Sequence, residues 1–434
     1  MKSVRNAMPC RPRLEIRVVR NVEKVLFCLK IDHKMTDKTI TVETLLNYFP
    51  DSLLEKLSQE HKVDYQVKKL NGQLVFKWLL YGVLSTNELS LNVLMNLFET
   101  LEFKSYAGID SSLTTKRNSL ADRLSTININ FIEAIFNHCQ KLADKHKAIG
   151  KTHHVLGYKL NRFDSTMVSI SSKLLSEDLG FRVGKQTKEG IHAVKHLKFT
   201  IGFDGLSIKD WDLYTQQTHN SEEVSLGQTI QEVICNQDEV IVVDRGIQSR
   251  KTYQNLDQQH KKFLVRANDG ISFKIVESLP LPQQMIQDDL QLIDYQIVHL
   301  RNKRQAIVEV PLKLARFKII SSGKILNLIS NIDNLDAFEL ALMYRRRWDI
   351  EVFFRFIKQE MGFSHLISRN ENGIKVMTMI ILIAAMLVLI YKHLNELKGY
   401  KITKRKFANE LHILLIKEII TRCNGDPELL KTAF

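Results

Sequence analysis

Between Thr41 and about Ala148 the apolar positions recur every three or four residues. Leu91, Leu94, Leu97, Phe98 and Leu101 fall along one face, and LLNYFPDSLLEKL and FIEAIFNHCQKLA repeat the same period. Strand-like alternation does not interrupt this stretch, which predicts a helical N-terminal domain over 35–150, preceded by a basic leader over 1–34. The basic, polar run QKLADKHKAIGKTHH marks a boundary near Gly150. Beyond it the period becomes two. Leu156, Tyr158, Leu160, Arg162, Asp164, Thr166, Val168 and Ile170 share one parity, as in a long strand that begins on an apolar face and carries its acid further along. HLKFTIGFD and WDLYTQ predict further strands, and a helix is expected from Glu222 to Cys235. In EVIVVDRG, Val240 to Val243 form a buried-strand run with Asp244 at its C-terminal tip beside Gly246. Such tips are where active sites of open α/β sheets collect.

A second block of strands follows in ISFKIVES, LIDYQIVHL, QAIVEVPL and RFKIISS, punctuated by SLPLPQQ and without a long helix between its members. It reads as a β-rich insertion over 269–334 that separates a first sheet, 151–268, from later helices over 335–400 and 401–434. Within those helices Val376 to Tyr391 is free of charge, bracketed by Lys375 and Lys392. A membrane-spanning helix needs about 20 apolar residues. This shorter run is read as a helix buried in the core, and no membrane partner is expected.

Charge changes the picture next. Sixty-two Lys and Arg against 48 Asp and Glu leave a net charge of +14 over 434 residues. An excess of that size points to a polyanionic partner, because clustered cations release counterions on meeting phosphates. Hydrophobic residues at 44%, with only 7 prolines and 18 glycines, exclude a disordered or collagen-like chain. The five cysteines are scattered without a C-x-x-C pair, which excludes the common zinc and redox motifs and suits a reducing cytoplasm.

The basic stretch YRRRWDIEVFFRFIK contains Glu351 among cations and apolar side chains. On one ideal helix, at about 100° per residue, Tyr344, Arg347, Glu351 and Lys358 lie within roughly 60° of arc and Asp349 faces away. Taken alone, Arg347 and Glu351 also read as an ordinary i,i+4 ion pair contributing about 0.3–0.5 kcal/mol. Two-metal phosphoryl transfer, however, needs carboxylates delivered from separate rigid elements. Asp164 on the first strand, Asp244 at a central strand tip and Glu351 on a later helix meet that need. Each aspartate has a plainer reading as a turn former. Asp204, Asp210 and Asp212 compete, although Asp204-Gly205 reads as a hairpin turn and the other two as a polar strand face.

The spacing Tyr344, two residues, Arg347, three residues, Glu351, six residues, Lys358 resembles the Y-R-E-K signature of DDE transposases of the bacterial insertion-sequence family numbered four. DSTMVSI around Asp164, VVDRG around Asp244, ALMYRRRWDIEVFFRFIKQEMGF around Glu351, SRNENGIKVMTMIILIAAMLV and the upstream KKLNGQLVFKWLLYGVLSTNELSLNVLMNLF extend the resemblance over about residues 40–400. It implies an α/β, RNase H-like (retroviral integrase-like) catalytic core with a β-strand insertion, preceded by a helical N-terminal DNA-binding domain and followed by C-terminal helices. It further implies metal-dependent DNA cleavage and strand transfer at terminal inverted repeats. Asp164, Asp244 and Glu351 would be catalytic ligands of two Mg2+ ions, with Mn2+ as a substitute, and Tyr344, Arg347 and Lys358 would contact DNA. The expected partners are the double-stranded ends, target DNA and a second copy in a synaptic homodimer, in the bacterial cytoplasm at the nucleoid. Some relatives hold a flipped base with an insertion tryptophan; residues 268–334 contain none, so that contact is not carried over. The alternative reading is a catalytically inactive DNA-binding relic or regulator derived from such an enzyme.

Overall fold

The computed structural model describes residues 40–147, 154–171, 179–181, 194–302, 304, 306–365 and 367–432. The leader and the boundary at Gly150 lie outside these residues.

Eleven strands form one sheet: β1 (His154–Val155), β2 (Tyr158–Ser171), β3 (Val194–Phe203), β4 (Ile208–Tyr214), β5 (Glu239–Val243), β6 (Lys262–Ala267), β7 (Phe273–Ser278), β8 (Ile286–Gln287), β9 (Leu290–Arg301), β10 (Ile307–Ile319) and β11 (Ile325–Ser330). Their order is β4-β3-β2-β5-β6-β11-β10-β9-β7, with β1 on β2 and β8 on β9. The run Val240–Val243 is apolar at every position because β5 is covered on both faces. Val240 and Val242 enter one buried cluster, Ile241 and Val243 another. Among β2 to β6 the spatial order is third, second, first, fourth, fifth, with β3 antiparallel to β2 and β5 and β6 parallel to it and to each other. This is the RNase H-like arrangement.

The insertion strands do not form a separate layer. β11 pairs antiparallel with β6, so β7 to β11 lengthen the same sheet. The expected strands QAIVEVPL and RFKIISS are one strand, β10. Its Pro311 stands at a register shift against β9, where the ladder is already interrupted and a missing N–H costs little.

The helices before the sheet are α1 (Val42–Leu46), α2 (Asp51–Glu60), α3 (Gly72–Ser85), α4 (Leu91–Phe98), α5 (Leu101–Ala107), α6 (Arg117–Thr126) and α7 (Ile129–Lys147). Two lie between core strands, α8 (Glu222–Glu232) and α9 (Arg250–Gln258), the former ending three residues before the expected Cys235. After the insertion come α10 (Ala337–Arg345), α11 (Trp348–Glu360), α12 (Glu371–Leu394), α13 (Tyr400–Arg422) and α14 (Leu429–Thr432). Helix α12 is apolar on every side, and 94% of its most hydrophobic window is buried, as read from the sequence. It is enclosed by α3, α6, α7 and α13. One core therefore joins Trp78, Phe98 and Phe131 from the N-terminal helices to Phe353 and Leu411 from the C-terminal ones.

Tyr344 to Lys358 is not the single helix the spacing suggested. The chain turns at Arg346–Arg347, where Asp349 N donates to Arg346 O at 3.2 Å and Ile350 N to Arg347 O at 3.2 Å. Arg162, only 2% exposed, fixes this joint: its Nε donates to the Arg346 carbonyl at 2.7 Å and its Nη2 lies 3.3 Å from Asp349. A buried guanidinium that claims a carbonyl in mid-segment competes with the regular helical ladder.

Candidate active site

The parallel register of β2 and β5 pairs Arg162 with Val242. Two residues further along each chain stand Asp164 and Asp244, which brings the two acids side by side at about the 4.8 Å spacing of neighbouring strands. Asp164 is largely buried, with 17% of its side chain exposed. Burial, then the charge of Asp244, pushes its carboxyl up to about 7, against the opposing Ser165 N–H and Arg347. Asp244 Oδ1 accepts the Gly246 N–H at 2.7 Å, which anchors the turn after β5.

Arg347, at the entry to α11, connects the third acid to the first. It donates to Glu351 and holds its Nη1 3.9 Å from Asp164 Oδ2. Burial alone would lower this guanidinium, but the bond to Glu351 and the nearby negative groups hold it above its ordinary value. Tyr344 arrives from α10, across the joint, so the single-helix arc holds only from Arg347 to Lys358. Its ring lies 5.9 Å from the Arg347 guanidinium, and burial raises its phenol. Lys358 donates to the Met167 carbonyl of β2 at 3.2 Å; burial lowers its ammonium while Asp164 acts in the opposite direction. Asp349 is turned away toward Arg162 and Arg346, as expected. All six selected residues thus cluster around the acid-bearing part of β2.

A cavity of about 570 Å³ opens beside Asp244 and is lined by Tyr344, Arg347, Arg245, Arg266 and Lys324, with Asp269 and Ile319. Arg266 and Lys324 were invisible as site residues in the sequence. They come from β6 and from the turn before β11, two places brought together by the β6–β11 pairing. Glu222 was missed too: from the first turn of α8 it accepts a hydrogen bond from Ser165 Oγ at 3.3 Å, next to Asp164. The competing acids lie elsewhere, around a cavity of about 1000 Å³ between α7 and β4. Asp204 accepts the Leu206 and Ser207 N–H groups at 3.0 and 2.8 Å, which makes it a turn residue. Burial raises Asp210 to about 6, and Asp212 accepts from Thr229 Oγ1 at 2.7 Å.

Among the described residues no three His, Cys, Asp or Glu side chains are already gathered as a metal site. Glu351 is instead turned onto Arg347. The donors are nevertheless all carboxylate oxygens, the set that hard divalent ions take. The raised Asp164 carboxyl marks a half-buried excess of negative charge that such an ion would offset. In donor chemistry and charge the residues fit a magnesium-like cation.

A family model described as a transposase DDE domain matches residues 157–387, more than half of the chain. A protein assigned to insertion sequence element IS4SA of Synechocystis sp. as its transposase is 27% identical over 227 residues, covering 50% of this chain and 56% of that protein. The transposase assigned to element IS5377 of Geobacillus stearothermophilus is 26% identical over 148 residues, covering 33% and 37%. Transposase y4zB of Sinorhizobium fredii is 23% identical over 208 residues, covering 47% and 52%. The chain spans about half the length of these relatives or less. A solved piggyBac transposase synaptic complex with hairpin DNA aligns with a TM-score of 0.48 at 12% identity, covering 88% of this chain and 82% of that one. The family match runs from β2 into the buried helix α12 and contains Asp164, Asp244 and Glu351, and the chain belongs to the DDE transposase family.

Proposed function

We propose that this protein is the transposase of an insertion sequence, cutting DNA at the element's terminal inverted repeats and joining the ends to target DNA, with Asp164, Asp244 and Glu351 as its catalytic carboxylates. The observation that carries this reading is the convergence of three acids from β2, β5 and α11, the first two in register and the third tied to the first through Arg347. Divalent metal use is general in this family; such ions, Mg2+ or in its place Mn2+, would stabilise charge on the attacking and leaving oxygens of the phosphate.

The protein's own groups do the rest. The three carboxylates hold the cation site. Arg347, whose planar fork suits a phosphate as well as a carboxylate, exchanges its acid partners for the DNA backbone. Lys358, anchored on the Met167 carbonyl, and Tyr344, on the other side of the joint, flank the scissile phosphate. Arg245, Arg266 and Lys324 continue the cationic surface from Asp244 onto the insertion strands and guide the strand away from the cut. The N-terminal helices supply end-sequence reading. Two copies act together, one for each end, and the expected setting is the bacterial nucleoid.

The test is incubation of the purified protein with Mg2+ and linear DNA carrying the repeats that flank its gene. Nicks at the element boundary and joined strand-transfer products are expected. Specific binding to the repeats without any metal-dependent cutting would sink the proposal and return the protein to the class of inactive relics.

A further inference from the structure

The sequence opens α8 with two glutamates, Glu222 and Glu223, and the fold uses them differently. Glu223 is engaged structurally: its Oε2 accepts the N–H groups of Gln248 and Ser249 at 2.6 and 3.0 Å, and its Oε1 accepts from Thr252 Oγ1 at 3.3 Å. These bonds clamp the first turn of α8 onto the loop that follows Asp244. Glu222, one residue earlier, is exposed and lies close enough to the acids for its charge to act on Asp164. One of its oxygens takes the long bond from Ser165 Oγ at 3.3 Å; the other has no hydrogen-bond partner among the described residues.

That second oxygen stands where a side chain at position 246 would crowd it. A Cβ built on Gly246 would meet Glu222 Oε2 at 2.5 Å and Asp244 Oδ1 at 3.0 Å. Gly246 has ordinary negative φ, so backbone conformation does not demand glycine there. The absent side chain instead leaves room for two carboxylates to stand over the same point. A plainer role, as countercharge to Lys198, is served only at a distance: burial lowers that lysine and the Glu222 charge opposes the shift, but its ammonium donates to the Asn220 carbonyl at 2.6 Å and no ion pair joins it to Glu222 among the described residues. Helix-dipole stabilisation at the start of α8 is already available from Glu223.

We infer that Glu222 is a fourth carboxylate of the metal site, beside Asp164 and Asp244, and that Gly246 is the positioning residue that admits it. The inference rests on the proposed metal-dependent reading. A fourth acid would let the site keep a full oxygen shell while Glu351 still exchanges between cation and Arg347.

The test is Mn2+ binding to the DNA-free protein, followed by calorimetry and by the electron paramagnetic resonance of bound ion, so that it does not depend on cleavage. Glu222→Gln and Gly246→Ala are each expected to weaken Mn2+ binding by about ten- to a hundredfold, the range for altered support of a metal site. The double variant is expected to lose little more than either single one, because both remove the same contact. Glu232→Gln serves as control: it removes a carboxylate from the far end of the same helix, where the acid accepts from Gln228 Nε2 at 3.1 Å, and is expected to leave Mn2+ affinity within about twofold. Wild-type affinity in folded Glu222→Gln, with binding lost in Asp164→Asn, would overturn this inference and leave the metal-dependent reading standing. Absence of Mn2+ binding in the wild type would overturn both.

Discussion

Asp164 is held protonated to near neutral pH by burial and by the charge of Asp244. A free aspartate titrates near 3.9. Between those values the folded state binds a proton that the unfolded state has released, so stability falls as pH rises from about 4 to about 7. Above that window the ionised carboxylate weighs fully against the fold. Asp164→Asn is therefore expected to raise the melting temperature of the metal-free protein at pH 8 and to leave it unchanged at about pH 4. Thermal melts in chelator across that range check this; a variant no more stable than wild type at pH 8 contradicts the buried negative pair. The same excess charge that weighs against the fold is what a divalent cation would bind.

At the scale of elements, the joint between α10 and α11 is the feature that decides which side chains meet. The three- and four-residue spacing grouped Glu351 and Lys358 on one real helix, α11, with Arg347 at its entry. It gathered Tyr344 for the wrong reason, since a buried arginine on β2 breaks the helix at Arg346, and no local pattern in YRRRWDIEVFFRFIK carries that distant contact. Asp244 was legible from the apolar run before it and from the turn residue after it. Glu222 was not, for an acid at a helix start has an ordinary explanation until the strand that faces it is known. Arg266 and Lys324 were hidden similarly by a strand pairing between β6 and β11. The joint can be tested directly: Arg162→Ala removes its bond to the Arg346 carbonyl and its pairing with Asp349. A loss of about 1–3 kcal/mol in urea unfolding is expected from the unsatisfied groups left behind. Cleavage measured at a temperature where the variant is fully folded should still fall at least tenfold, because Tyr344 and Arg347 lose their fixed relation. Unaltered cleavage by the folded variant would show that the joint does not position the site.

For the whole molecule, the helices at the two ends of the chain stand or fall together. Lys404 of α13 donates to the Thr86 carbonyl at 2.6 Å, to Asn87 Oδ1 at 2.8 Å and to the Glu360 carbonyl, linking the N-terminal helices to the end of α11. Burial lowers its ammonium to about 8, with Glu360 opposing. An unfolded lysine titrates near 10.4, so between about 8 and 10 the unfolded state binds more protons and this group makes stability rise with pH. Lys404→Met should abolish that rise and, by leaving three acceptors unpaired, cost about 1–3 kcal/mol in a single cooperative transition. Separate melting of the N-terminal helices in this variant would contradict the shared core. That core also explains why the most apolar segment of the chain, α12, is buried inside the protein: it is the surface onto which both sets of helices close. It thereby gives α11, and with it Glu351, a rigid support.

The most direct measurement is Mg2+-dependent cutting of the element's end DNA by wild type and by Asp164→Asn, Asp244→Asn and Glu351→Gln, each at DNA concentrations that saturate binding. All three variants should bind the repeats as wild type does and cut at least about a hundredfold more slowly, the loss expected when transition-state charge stabilisation is removed. Near-wild-type cutting by any one of them would remove that carboxylate from the site and contradict the account.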